Sequence, residues 1–156
     1  MNIKYEENLL TAKQFLELRK SVEWTGDEHQ VEKSLEADLY DIIATDGEKI
    51  IGMGRLVGDG FLYWYVQDVI VTPQYQGYGI GKTIMEYLFR YIEKNSLPDT
   101  TVTIGLMAAK GKDAFYEKLG FTARPNDIYG SGMIKNHLIP NTASAVIKHT
   151  PRPPKR

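Results

Sequence analysis

The feature that most restricts the fold of this chain is a glycine-rich turn, Gln76-Gly77-Tyr78-Gly79-Ile80-Gly81-Lys82-Thr83, set between an apolar run and an amphipathic one. Val66 to Val71 before it read as a strand, ended by Pro73, and Ile80, Ile84, Leu88, Tyr91 and Ile92 after it recur at helical spacing through about Glu93. A strand that passes through glycines into a helix aims several backbone N–H groups at one point. The positive end of the helix dipole lies there too, which suits a pyrophosphate, and Lys82 adds charge. A turn that only lets strand and helix pack closely would use the same glycines. Two common phosphate loops are excluded by spacing. A dinucleotide fingerprint needs glycine at the sixth position from Gly77, where Lys82 stands, and a Walker A loop counted back from Gly81-Lys82-Thr83 is one residue short.

Around this turn the sequence predicts alternating elements. Ile3 to Tyr5 is a strand candidate; Thr11 and Gln14 form a capping box for a helix to about Val22, and Thr25 and Glu28 a second one for a helix to about Ala37. Leu39 to Ala44 and Ile50 to Val57 flank the turn dipeptide Asp46-Gly47 and read as a hairpin. After Gly58-Asp59-Gly60 the run Phe61 to Val71 is expected to form a central strand. Thr101 to Leu106 predicts another, Asp113 to Leu119 a short helix stopped by Gly120, and strands are expected from Phe121 and over Met133 to Leu138. The order predicts an α/β (α+β) domain, a mixed sheet with helices on both faces, over residues 1–138. Residues 139–156 are basic and proline-rich and read as a flexible tail.

Composition narrows the partners. Nineteen basic against twenty acidic residues leave a net charge of −1, so no overall attraction to nucleic acid or an anionic membrane is expected. The chain has no cysteine, which excludes thiol nucleophiles and thiolate metal sites and fits a reducing compartment. The start is acidic where a signal peptide would be basic, and no apolar run is long enough to span a bilayer, so a cytoplasmic protein is expected. His29, His137 and His149 show no ligand spacing, and no metal is expected.

The full string Val69-Ile70-Val71-Thr72-Pro73-Gln74-Tyr75-Gln76-Gly77-Tyr78-Gly79-Ile80-Gly81 is more specific than its glycines. It resembles the coenzyme A signature of the GNAT N-acetyltransferase superfamily, with Gln76, Gly79 and Gly81 in the defining places. Ala114-Phe115-Tyr116-Glu117-Lys118-Leu119-Gly120-Phe121 resembles the family's second hallmark. The resemblance implies a mostly antiparallel sheet splayed between the strands ending at Val71 and Leu106, with acetyl-CoA as co-substrate. It implies coenzyme contacts from Val69, Ile70 and Val71, from Gln76, Gly77, Tyr78, Gly79, Ile80, Gly81, Lys82 and Thr83, and from Asp113, Phe115, Tyr116 and Lys118. The acceptor would be a small primary amine: an aromatic amine first, through likeness to aralkylamine acetyltransferases, then a polyamine or amino sugar. A homodimer is admitted by analogy.

Direct attack of the amine requires loss of a proton from nitrogen, stabilisation of an oxyanion and departure of a thiolate. By the resemblance, Tyr116 is the general acid, a backbone N–H near Val69 or Ile70 serves the oxyanion, and Trp24, Tyr63 and Trp64 flank the acceptor. Asp68 stands out from the residues alone, because a carboxylate inside an apolar run needs a partner or a task. It reads either as the base, acting directly or through water, or as an aspartate bonded at a strand irregularity. The rival function is an acyl-CoA-binding sensor or assembly partner, which would bind coenzyme without turnover.

Overall fold

The structure, a computed structural model, describes residues 1–141. The expected tail therefore lies outside the described residues from 142 onward. The elements run β1 (Ile3–Glu7), α1 (Ala12–Ser21), α2 (Glu28–Ala37), β2 (Tyr40–Asp46), β3 (Lys49–Gly58), β4 (Tyr63–Val71), a 3-10 turn (Pro73–Tyr75), α3 (Ile80–Asn95), β5 (Thr103–Gly105) and α4 (Asp113–Glu117). They fall into two units, Met1–Gly111 and the part from Lys112 on.

In the first unit the strands form one sheet in the order β1-β2-β3-β4-β5, antiparallel except for the parallel pair β4–β5. Strand β3, not β4, is central among the described strands. Helices cover both faces because β3 alternates its partners. Phe15, Leu18, Val31, Ile43, Ile50, Met53 and Ile70 join one buried cluster beneath α1 and α2. Ile80, Ile84, Met85, Leu88 and Ile92 are the buried stripe of α3 on the opposite face.

Two glycines of β3 admit α3 to the sheet. A Cβ on Gly54 would lie 2.7 Å from Ile84 Cγ2, and one on Gly52 3.1 Å from Ile84 Cδ1. We expect Gly54→Ala to destabilise the fold by about 1–3 kcal/mol through overpacking. Gly130→Ala, whose added Cβ meets nothing within 4 Å, should stay close to the parent. Urea unfolding of both variants checks this, and equal midpoints would refute it.

Several expected boundaries are corrected. Thr11 caps α1 with a complete capping box, but α2 is capped by Asp27, whose carboxylate accepts from the Gln30 N–H at 2.8 Å, and not by Thr25. Phe61 and Leu62 belong to the turn: Asp59 Oδ1 accepts from the N–H groups of Phe61, Leu62 and Tyr63 at 2.9, 2.8 and 2.9 Å. That bonding folds the chain back and delays β4 to Tyr63.

In the second unit no strand forms at Phe121 or over Met133 to Leu138, among the described residues. Asn126 Oδ1 accepts from the Ile128 and Tyr129 N–H groups, and Arg124 Nε donates to the Gly130 carbonyl, local bonds that replace a strand ladder. Met133, Ile134 and Leu138 do not alternate, so no single strand face collects them. Among the described residues no helix is long and apolar enough to cross a membrane.

Candidate active site

The parallel pair β4–β5 joins only Tyr63 to Thr103, Trp64 to Ile104 and Tyr65 to Gly105, while β4 continues to Val71. Beyond Tyr65 the two strands therefore part, leaving one edge of β4 open along its C-terminal half. The glycine turn follows directly at that end. Gln76 Nε2 donates to the Val71 carbonyl at 2.9 Å, which ties the loop to the strand.

Gly77 and Gly79 have φ of 86° and 81°, a region that bulky side chains avoid, and a Cβ at either position would meet nothing within 4 Å. The loop thus has open space above a left-handed backbone that glycine adopts without strain. Gly79 is the N-cap of α3 and offers no side-chain cap. The first intrahelical bond runs from Thr83 N–H to the Gly79 carbonyl at 3.0 Å, so the N–H groups of Ile80, Gly81 and Lys82 have no intrahelical acceptor. No acidic residue occupies the first turn to oppose an anion. These donors fit a pyrophosphate such as that of coenzyme A. The Thr83 hydroxyl turns back to the Gly79 carbonyl at 3.3 Å, and Lys82 Nζ lies 3.6 Å from Glu86 on the helix surface. Tyr78 is exposed beside them.

Just upstream, β4 is irregular. Met53 pairs with Ile70 and Arg55 with Gln67, so Gly54 faces two residues, Asp68 and Val69, in a β-bulge. Asp68 has φ of 50°. Its carboxylate accepts from Arg19 Nη1 at 3.0 Å and from Arg55 Nε at 3.2 Å, and its side chain is 8% exposed. Arg55 Nη1 also reaches Asp38 Oδ2 at 3.3 Å and Ser34 Oγ at 3.1 Å. Both guanidiniums lie over the Phe15 ring, and that of Arg19 over Trp24 as well, 5.4 Å from its centroid. Each carboxylate oxygen of Asp68 is thus engaged by one protein cation. This geometry favours the reading of an aspartate bonded at a strand irregularity over that of a base. Arg19, Arg55, Asp38 and Ser34 were missed from the sequence. Arg55 carried a usable signal, because it interrupts the apolar run Ile50 to Val57 just as Asp68 interrupts its own.

Asp38 sits at the C-terminal cap of α2, where the helix dipole disfavours an anion. Burial pushes its carboxyl up to about 6, against the pull of Arg55 and with a further push from Asp41. An unfolded aspartate titrates near about 3.9, so ionising Asp38 costs the folded state stability as pH rises from about 4 to about 6. We expect Asp38→Asn to lack that loss. Its stability relative to the parent should rise by about 1–3 kcal/mol between about pH 4 and about pH 6 in urea unfolding, and a constant difference would refute the assignment.

The expected acceptor wall is only partly assembled. Trp64 is 2% exposed and packs edge-on against Tyr91 of α3, which makes it a core residue. Trp24 lies on the other side of the sheet, over Arg19, and Tyr63 is exposed at the start of β4. In the second unit, α4 carries Asp113 in its first turn and ends at the Lys118 cap, both exposed. The Tyr116 ring packs edge-on with Phe115 and Phe121 at centroid distances of 4.9 and 5.9 Å, and burial pushes its phenol above the ordinary range. Gly120, with φ of 92°, closes that turn. Among the described residues no group of three or more histidine, aspartate or glutamate side chains is placed to hold a metal.

Several known proteins are similar to this chain in sequence and fold. A family model described as an acetyltransferase (GNAT) domain matches residues 38–123. GCN5-related N-acetyltransferase 2, chloroplastic, of Arabidopsis thaliana is 36% identical over 107 residues, 65% of this chain and 40% of that protein. Serotonin N-acetyltransferase 2, chloroplastic, of Oryza sativa subsp. japonica is 31% identical over 107 residues, 68% of this chain and 52% of that protein. The chain thus spans about two fifths to one half of the length of these relatives. A GNAT family acetyltransferase from Streptococcus pneumoniae superposes with a TM-score of 0.73 at 29% identity, over 86% of this chain and 98% of that one. With a family model matched over more than half of its residues and a solved member sharing its fold, the chain belongs to the GNAT acetyltransferase family.

Proposed function

We propose that the chain transfers acetyl from acetyl-CoA to a primary amine by direct attack in a ternary complex. The observation that carries the reading is the left-handed glycine turn, which opens the N-terminus of α3 at the point where β4 has parted from β5. A pyrophosphate on the N–H groups of Ile80, Gly81 and Lys82 leaves the pantetheine arm to run along the open edge of β4 toward the bulge. The amine nitrogen bonds to the thioester carbon as the carbon–sulfur bond breaks. Charge developing on the oxygen is met by a backbone N–H at Val69 or Ile70. By the family resemblance Tyr116, its phenol kept protonated by burial, supplies the proton that makes the leaving sulfur a thiol, and the nitrogen releases its proton to solvent water.

Likeness to a serotonin N-acetyltransferase supports aromatic amines as the first acceptors to try, ahead of polyamines and amino sugars. Trp24 is the aromatic surface offered to them on the Arg19 side of the bulge. The absence of cysteine suits a reducing compartment such as cytoplasm.

Calorimetric titration with acetyl-CoA, with ATP and magnesium as the control, followed by thiol release against a panel of these amines, tests the proposal. Acetyl-CoA binding with amine-dependent thiol release is expected. Binding without release from any amine would favour a coenzyme-binding sensor, and no binding would overturn the reading.

A further inference from the structure

We infer that Asp68 is a positioning residue whose ion pairs with Arg55 and Arg19 hold the β4 bulge in place, and that the amine is not deprotonated by its carboxylate. The inference rests on the acetyl-transfer reading above and assigns the residues that shape its reacting end.

An aspartate at φ of 50° inside a strand is a strained backbone that persists only where the surroundings enforce it. Here they do so from two directions. Arg55 comes from the opposing strand, and its Nη1 is itself fixed by Asp38 and Ser34 at the end of α2. Arg19 comes from the last turn of α1. Arg55 is 5% exposed, and the side chains of Asp38 and Asp68 are 7% and 8% exposed. With both carboxylates ionised these four charges alternate along the chain Arg19–Asp68–Arg55–Asp38, so removing Asp68 leaves Arg19, and removing Arg55 leaves the buried Asp38, without a charged partner in the cluster.

The bulge sets the direction of the residues after it. Val69 and Ile70 follow Asp68 directly, and Ile70 resumes the ladder opposite Met53. If the left-handed residue relaxes, the two-against-one pairing at Gly54 relaxes with it, and the N–H groups offered to the thioester oxygen turn away. The glycine turn lies further along and is anchored separately through Gln76 and Val71. Loss of the cluster should therefore spare coenzyme affinity and lower turnover. It should do so from the arginine side as well, with the acid limb of the pH profile left in place, whereas a base would carry that limb.

Asp68→Asn and Arg55→Lys test this, since asparagine tolerates a left-handed backbone and lysine retains one charge. Both are expected to lower kcat about tenfold or more while the KM for acetyl-CoA stays within about threefold. The acid limb of the kcat profile should be unchanged in both, and the double variant should lose little more than either single one. Amide hydrogen exchange over residues 67–71 should speed up in each. Asp68→Asn losing turnover and the acid limb while Arg55→Lys matches the parent would identify a base and overturn the inference. Parent-like kcat and exchange in both variants would overturn it as well. If the parent itself shows no acetyl-CoA binding, the acetyl-transfer reading fails, and the exchange comparison still decides whether the cluster holds the bulge.

Discussion

Gly79→Val is expected to weaken acetyl-CoA binding by about 100-fold or more while the protein stays folded. Gly79 stands at φ of 81° as the N-cap of α3, and nothing lies within 4 Å of a Cβ placed there, so the substitution brings no clash. What it brings is a β-branched residue in a backbone region that such residues avoid. The turn must then refold locally, and the N–H groups of Ile80 and Gly81 lose their common direction. Each charge-assisted hydrogen bond to a phosphate contributes about 1.5–3 kcal/mol, so losing two of them gives the stated factor. Gly47→Ala separates strain from binding, because Gly47 has φ of 62° in the β2–β3 turn and is not in the loop. Its stability should drop modestly with acetyl-CoA affinity unchanged. Calorimetry on both variants checks the contrast, and parent-like binding by Gly79→Val would remove the loop from the coenzyme site.

Tyr116→Phe should lower kcat by about 100-fold with acetyl-CoA affinity within about threefold of the parent. The ring edge contacts with Phe115 and Phe121 survive the change, so folding is expected to be untouched. Only the phenol O–H is lost. Burial raises its pKa, which keeps it protonated across the neutral range and places any loss of activity from its ionisation at alkaline pH. The parent profile should therefore carry an alkaline limb, displaced above the ordinary tyrosine range, that the variant lacks. A kcat within about twofold of the parent would end the acid assignment.

Much of this protein is written locally. Thr11 and Gln14 announce the start of α1, Pro73 and the glycines mark the passage from β4 to α3, and Gly120 closes α4, because caps, turns and left-handed positions are properties of a few adjacent residues. Local competition also explains the failures. Asp59 held Phe61 and Leu62 in a turn, and Asn126 did the same after Phe121, where apolar composition alone had suggested strands.

The sequence by itself determined the glycine turn, its place between strand and helix, and with them the family. Only the tertiary structure decided what surrounds the reacting end of that site. Asp68 finds its partners 13 and 49 positions away, Trp64 packs against Tyr91, and Arg19 lies over one face of a Trp24 that stays part-exposed. A backbone turn depends on neighbours in the chain. An ion pair or a buried ring depends on which elements the sheet brings together, and no spacing along the chain encodes that directly.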